Sequence, residues 1–179
     1  MIKGKCLMDV RYPIGKLRLP TEITSEDVEL WISEIEKAPL ALKEAIRGLT
    51  TEQLSTPYRQ GGWKIYQVVH HLADAHMNGY IRIKKGLTEH EPNIMPYNQE
   101  DWAELEDNQL PIEVSVDLFS TIQKRLTALL KSLTDIDLKR TVQHPENGLS
   151  TIEKLIATYA WHGKHHIAHI TSLRKKMGW

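Results

Sequence analysis

Four histidines crowd into ten residues near the end of the chain, in the stretch WHGKHHIAHI at 161 to 170. His162 and His166 form one pair four residues apart, and His165 and His169 form another. On a helix, residues at that spacing lie one above the other on a single face. Two neutral imidazoles so placed can share a divalent cation, whose charge would activate a water or a thiol in a coordination position left open. The glutamate of the HExxH arrangement is missing, because Gly163 and Lys164 follow His162. A third ligand has to come from elsewhere, and VVHHLADAH at 68 to 76 offers His70, His71 and His76.

Helical periodicity sorts these candidates by direction. At about 100° per residue, the apolar residues from Ile152 to Met177 cover an arc about 120° wide, the width of a core-facing stripe. His166 falls inside that arc and His162 about 20° beyond its edge, whereas His165 and His169 lie farther round toward solvent. In the earlier stretch, His76 points into the apolar arc and His70 and His71 lie to one side of it. Periodicity therefore nominates His76 as interior, while a ligand at a seam between helices can sit off centre. Both possibilities stay open on this ground.

The elements that would carry these residues are helical. Thr24-Ser25-Glu26-Asp27 can cap a first helix, and Val28, Trp31, Ile32, Ile35, Leu42, Ala45, Ile46 and Leu49 follow at helical spacing, with Pro39 expected to kink it. STPYRQGGW at 55 to 63 reads as a turn. A second helix runs from Ile65 to about Gly86, and a third is marked by Leu118 to Leu133. The proline-rich stretch 88 to 112 between them predicts a long loop with one helical turn near Gln99 to Leu105. Ser150 to Glu153 has capping-box spacing and predicts the start of a fourth helix, which extends to about Met177. No segment alternates like a strand. The reading is an all-α four-helix bundle, a single domain over 1–179 with an extended arm at 1–23.

Composition narrows the function. The 179 residues carry 23 basic and 23 acidic side chains, with 41% hydrophobic and 26% charged residues. That balance argues against nucleic-acid or anionic-membrane partners, which would call for an excess of Lys and Arg. No stretch approaches the roughly 20 apolar residues of a membrane span, and MIKGKCLMDV lacks the apolar core of a secretory signal. One cysteine, Cys6, allows no intrachain disulfide. The expectation is a cytoplasmic protein. Met8 is a second candidate start, and Cys6, with no histidine nearby in sequence, is not a credible nucleophile.

Beyond these readings, GGWKIYQVVHHLADAHMNGYIR at 61 to 82 and YAWHGKHHIAHITSLRKKMGW at 159 to 179 closely resemble the YfiT branch of the DinB superfamily. YPIGKL at 12 to 17, TPYRQGGW at 56 to 63 and TALLKSLT at 127 to 134 fit as well, so the resemblance covers nearly the whole chain. It implies a four-helix bundle with a divalent metal, nickel or zinc, held by His71, His162 and His166, and it implies a homodimer. His76 remains a reserve for His71, and His70 a weaker one. Ile167-Ala168-His169 stands where more distant relatives continue with Arg-Gly-Gln. The resemblance further implies either a metal-dependent hydrolase or a transferase that moves a low-molecular-weight thiol such as bacillithiol onto an electrophile.

Three imidazoles leave a position open, as catalytic sites do and closed structural sites do not. Hydrolysis usually needs a general base beside the water, and no glutamate stands at the familiar spacing from either histidine motif. A thiolate needs less proton management, so the expectation leans to S-transfer, with hydrolysis or a noncatalytic metal-binding bundle as the alternatives. Asp74, three residues after His71, could orient a ligand imidazole or simply pair with a surface base. Arg59 and Trp63 could line the mouth, although for Trp63 packing at a helix start is the simpler reading, as it is for Tyr80, Tyr159 and Trp161.

Overall fold

A computed structural model describes residues 9–145 and 148–179. Cys6 and both candidate starts lie outside the described residues. Four long helices dominate: α1 (Ser25–Ile46), α3 (Ile65–Thr88), α5 (Ile112–Leu130) and α7 (Ile152–Met177). Short helical segments α2 (Thr51–Leu54), α4 (Gln99–Trp102) and α6 (Asp135–Leu138) sit in the connections, with a 3-10 turn at Glu106–Gln109.

The main helix contacts are α1 with α7, α7 with α3, α3 with α5 and α5 with α1. Consecutive long helices α1 and α3 therefore lie across a diagonal, as do α5 and α7. Only α3 and α5 are neighbours in both sequence and space. Their connection, 89–111, is longer than neighbours require, and it runs back along α3. Arg82 donates to Met95 O at 2.7 Å, Gln67 Nε2 to Ala103 O at 3.1 Å, and Trp63 Nε1 to Glu100 Oε2 at 2.9 Å. Its helical turn falls at Gln99–Trp102, inside the span expected, and is capped by Asn98.

Local signals explain most helix ends. Thr24 and Asp27 form a reciprocal capping box at α1, in which each side chain satisfies an amide the helix leaves open. Pro39 lies within α1, which continues through it to Ile46. At α7 the expected box does not form. Thr151 is the N-cap, Ser150 belongs to a strand, and Glu153 instead accepts from Lys139 Nζ at 2.7 and 3.0 Å. The strand is part of a hairpin not anticipated from the sequence: β1 (Thr141–His144) pairs antiparallel with β2 (Gly148–Thr151), with Val142 opposite Ser150. Strands of four residues are too short for a period of two to stand out.

The interior consists of two apolar clusters. One gathers Leu42, Ile65, Val68, Leu72, Phe119 and Ile170, the other Ile35, Ile83, Leu126, Ile152 and Ile156. Part of the 9–23 arm packs on α7. Gly15 O accepts from Trp161 Nε1 at 3.2 Å, and Arg11 O lies 3.2 Å from His169 Nε2.

Candidate metal centre

The seam between α3 and α7 brings together three of the candidate imidazoles. His71 Nε2 and His162 Nε2 are 3.2 Å apart, and one ligand atom from each of His71, His162 and His166 lies within 4.8 Å of the others. The ring centroids are separated by 5.2, 4.7 and 4.5 Å. Two nitrogens bound tetrahedrally to one ion at about 2.0–2.1 Å would stand about 3.3 Å apart, so the His71–His162 separation fits a shared cation. Among the described residues this is the one group of three or more such side chains that meets this geometry, and it includes no carboxylate.

Burial prepares the imidazoles as neutral donors. Desolvation pushes His71 down to about 4 and holds His162 and His166 well below the usual imidazole range. At neutral pH all three therefore carry a free lone pair, the form a metal requires.

The other candidates occupy distinct places. His76 is fully buried, as periodicity required, and stands behind His162, with its Nε2 3.4 Å from His162 Nδ1. His70 faces α5, where its Nδ1 lies 2.7 Å from Ser115 Oγ. His71, which the wheel set to one side, points along the seam where α7 meets α3. His165 and His169 are buried, at 7% and 3% exposure, contrary to the solvent-facing expectation. The reason is tertiary. Trp161 stacks on His165 at 4.4 Å, Tyr58 stacks on His169 at 4.0 Å, and the arm covers both.

Asp74 makes no hydrogen bond to His70 or His71, so of its two sequence readings the carboxylate–imidazole pairing does not form. Partial burial, reinforced by Asp107, raises its carboxyl to about 6. Tyr159 packs edge-on to His76 and accepts from Arg82 at 3.1 Å, and Tyr80 packs against the second apolar cluster.

Trp63 contributes more than helix-start packing. Its indole lies 4.6 Å from the His71 ring and is stacked with His166 at 6.2 Å. A tight turn puts it there: Tyr58 N donates to Trp63 O at 3.0 Å, and Gly61 adopts φ +65, a conformation that costs glycine little. Gly62 completes the turn, because a β-carbon there would come within 2.6 Å of Arg59 Cγ. A cleft of about 270 Å³ opens beside this wall, lined by Arg11, Arg59, Trp63, Glu100 and His166 among others. Glu100 was missed by sequence reasoning. It lies 29 residues from His71 in a segment without periodicity, and only the return of 89–111 along α3 brings it to the cleft.

Comparison with known proteins agrees with this architecture. The sequence model of the DinB superfamily matches residues 34–170. A protein of Oceanobacillus iheyensis named "Putative metal-dependent hydrolase" is 51% identical over 172 residues, 96% of this chain and all of the relative. One of the same name from Bacillus cereus is 52% identical over 171 residues, 96% of this chain and 99% of the relative. Among solved structures, YfiT from Bacillus subtilis, described as "a probable metal-dependent hydrolase with an unusual four-helix bundle topology", superposes with a TM-score of 0.92 at 46% identity. The superposition covers 95% of this chain and 98% of that one. The diagonal placement of consecutive helices described above is a departure from simple up-down order.

Proposed function

This chain belongs to the DinB superfamily, and we propose that it is a divalent-metal-dependent enzyme whose ion, nickel or zinc, is held by His71, His162 and His166. The observation that carries the proposal is the convergence of three neutral imidazoles from α3 and α7 on one point beside an open cleft. A divalent ion there would favour the deprotonated, nucleophilic form of a bound thiol or water.

The reaction proposed is S-transfer: the sulfur of a low-molecular-weight thiol, bacillithiol-like, forms a bond to an electrophilic carbon as that carbon's leaving group departs. Two features support it. The donor set is uncharged and would leave the ion's charge to be met by an anion such as a thiolate. No carboxylate belongs to the group of donors, so no proton acceptor stands among the ligands. Trp63 supplies an apolar wall and Arg59 a cation at the cleft, suited to holding an organic substrate.

Hydrolysis is the second reading, supported by the names of the relatives and by Glu100 on the cleft wall. There Glu100 would accept the proton of an attacking water. A cytoplasmic setting, expected from the sequence, and a homodimer, implied by the family resemblance, belong to the same proposal.

Two measurements decide. Elemental analysis of tag-free protein is expected to find about one divalent ion per chain, and none in His71→Ala, His162→Ala or His166→Ala. Full metal content in all three variants would end the assignment. Metal-loaded protein mixed with a chromogenic electrophile is then expected to react only when a small thiol is added. Thiol-independent release of product, abolished in Glu100→Gln, would establish hydrolysis instead.

A further inference from the structure

His76, Gln123 and a backbone carbonyl of α1 form a line of hydrogen bonds that ends on His162. Gln123 Nε2 lies 3.4 Å from Ile35 O, Gln123 Oε1 lies 3.3 Å from His76 Nδ1, and His76 Nε2 lies 3.4 Å from His162 Nδ1. Its middle members are deep inside: Gln123 is 1% exposed and His76 is fully buried. The line crosses from α1 through α5 and α3 to α7, and it is set among residues of the two apolar clusters.

Each link has only one workable direction. The Ile35 carbonyl can only accept, so the Gln123 amide nitrogen faces it. Turning the amide over would set two oxygens against each other. Gln123 Oε1 can only accept in turn, so His76 carries its proton on Nδ1. A histidine with no exposed surface and no acid in contact among the described residues is neutral and has one ring proton. His76 Nε2 is therefore a bare lone pair, and the hydrogen of this last link sits on His162 Nδ1. A neutral His162 protonated there has its lone pair on Nε2, the atom 3.2 Å from His71 Nε2. His166 has no such support, since its Nδ1 is buried without a partner among the described residues.

We propose that Gln123 and His76 are positioning residues that lock His162 in its Nδ1–H tautomer and aim its Nε2 lone pair at the metal point. His76, a reserve ligand on periodicity, thus acts through a ligand instead of being one. Hydrogen-bonded partners behind ligating histidines typically change metal affinity about 10–100-fold when removed. The proposal rests on the three-histidine reading for its consequence, but its core, the tautomer, is a property of the metal-free protein.

The test is long-range proton–nitrogen NMR of the histidine rings in metal-free protein, together with zinc affinity by chelator competition. The wild type is expected to show His162 protonated on Nδ1. In Gln123→Met, which offers His76 no comparable acceptor, that preference is expected to be lost and zinc affinity to fall about 10–100-fold. In Gln123→Glu both are expected to be retained, because a buried neutral carboxylic acid can donate to Ile35 O and accept from His76. His162 protonated on Nε2 in the wild type would overturn the proposal without any variant. So would an unchanged tautomer in a folded Gln123→Met. If the wild type binds no zinc yet shows the Nδ1–H tautomer, the relay stands and the metal reading fails.

Discussion

The Tyr159 ring fills the space where a β-carbon on Gly79 would stand, with three ring atoms between 2.4 and 2.7 Å from that position. This absent side chain lets α3 and α7 approach at the level where Tyr159 packs on His76 and accepts from Arg82. Gly79→Ala should gain helix propensity in isolation. Overpacking a rigid interface typically costs about 1–3 kcal/mol, and here it is expected to win. A melting temperature lower by about 2–4 °C per kcal/mol, followed by circular dichroism, is the expected outcome. An unchanged or raised value would show that Tyr159 moves freely.

Acid should destabilise the metal-free protein in a defined window. Burial lowers His71 to about 4, His76 to about 3 and His169 to about 4, while the unfolded chain protonates each near 6.5. Between those limits the unfolded state binds more protons, so stability rises with pH and is lost as pH falls from about 6.5 toward 4. Asp74, raised to about 6, opposes this with a single proton. Urea midpoints at several pH values across the window should therefore drop steadily on acidification. A flat profile would mean the imidazoles are hydrated.

Glu153 is buried at the start of α7, with its side chain 8% exposed, and its charge is met by Lys139. Lys139→Met would leave a nearly buried carboxylate without its cation, at a cost of about 1–3 kcal/mol. Glu153→Gln, which removes the charge as well, should cost less. The order of the two in denaturant melts is the check, and a larger loss in Glu153→Gln would contradict it.

The arm shields the second histidine pair. Removing residues 1–23 should uncover His165 and His169 and make both reactive toward diethyl pyrocarbonate at neutral pH. Mass spectrometry of the modified protein reads this directly. Protection that persists after truncation would place the cover in Tyr58 and Trp161 alone.

Ligand binding to the folded state should raise its stability in proportion to occupancy. At a free zinc concentration about 100 times the dissociation constant, the gain is about 2.7 kcal/mol. The His162→Ala protein should show none of that gain.

The four long helices and the α7 half of the candidate site were legible in the sequence because both depend on local order, whereas the short hairpin of β1 and β2 was not. Amphipathic periodicity sets each helix face, and the spacing of four sets His162 against His166, whatever the rest of the chain does. The choice among His70, His71 and His76 was not legible from periodicity, since a ligand belongs to the seam between two helices and a wheel describes one helix alone. The family resemblance favoured His71, and only the packing of α7 on α3 shows it 3.2 Å from His162, with His76 on the opposite side of the His162 ring. His165 and His169 read as solvent-facing for the same reason, because nothing local to α7 shows that Tyr58, Trp161 and the arm will cover them. Glu100 and Trp63 reach the cleft through chain segments whose paths are set by contacts across the bundle. Side-chain periodicity is a short-range property carried by each stretch of sequence, whereas convergence on a point is a long-range one that exists only once the helices have docked.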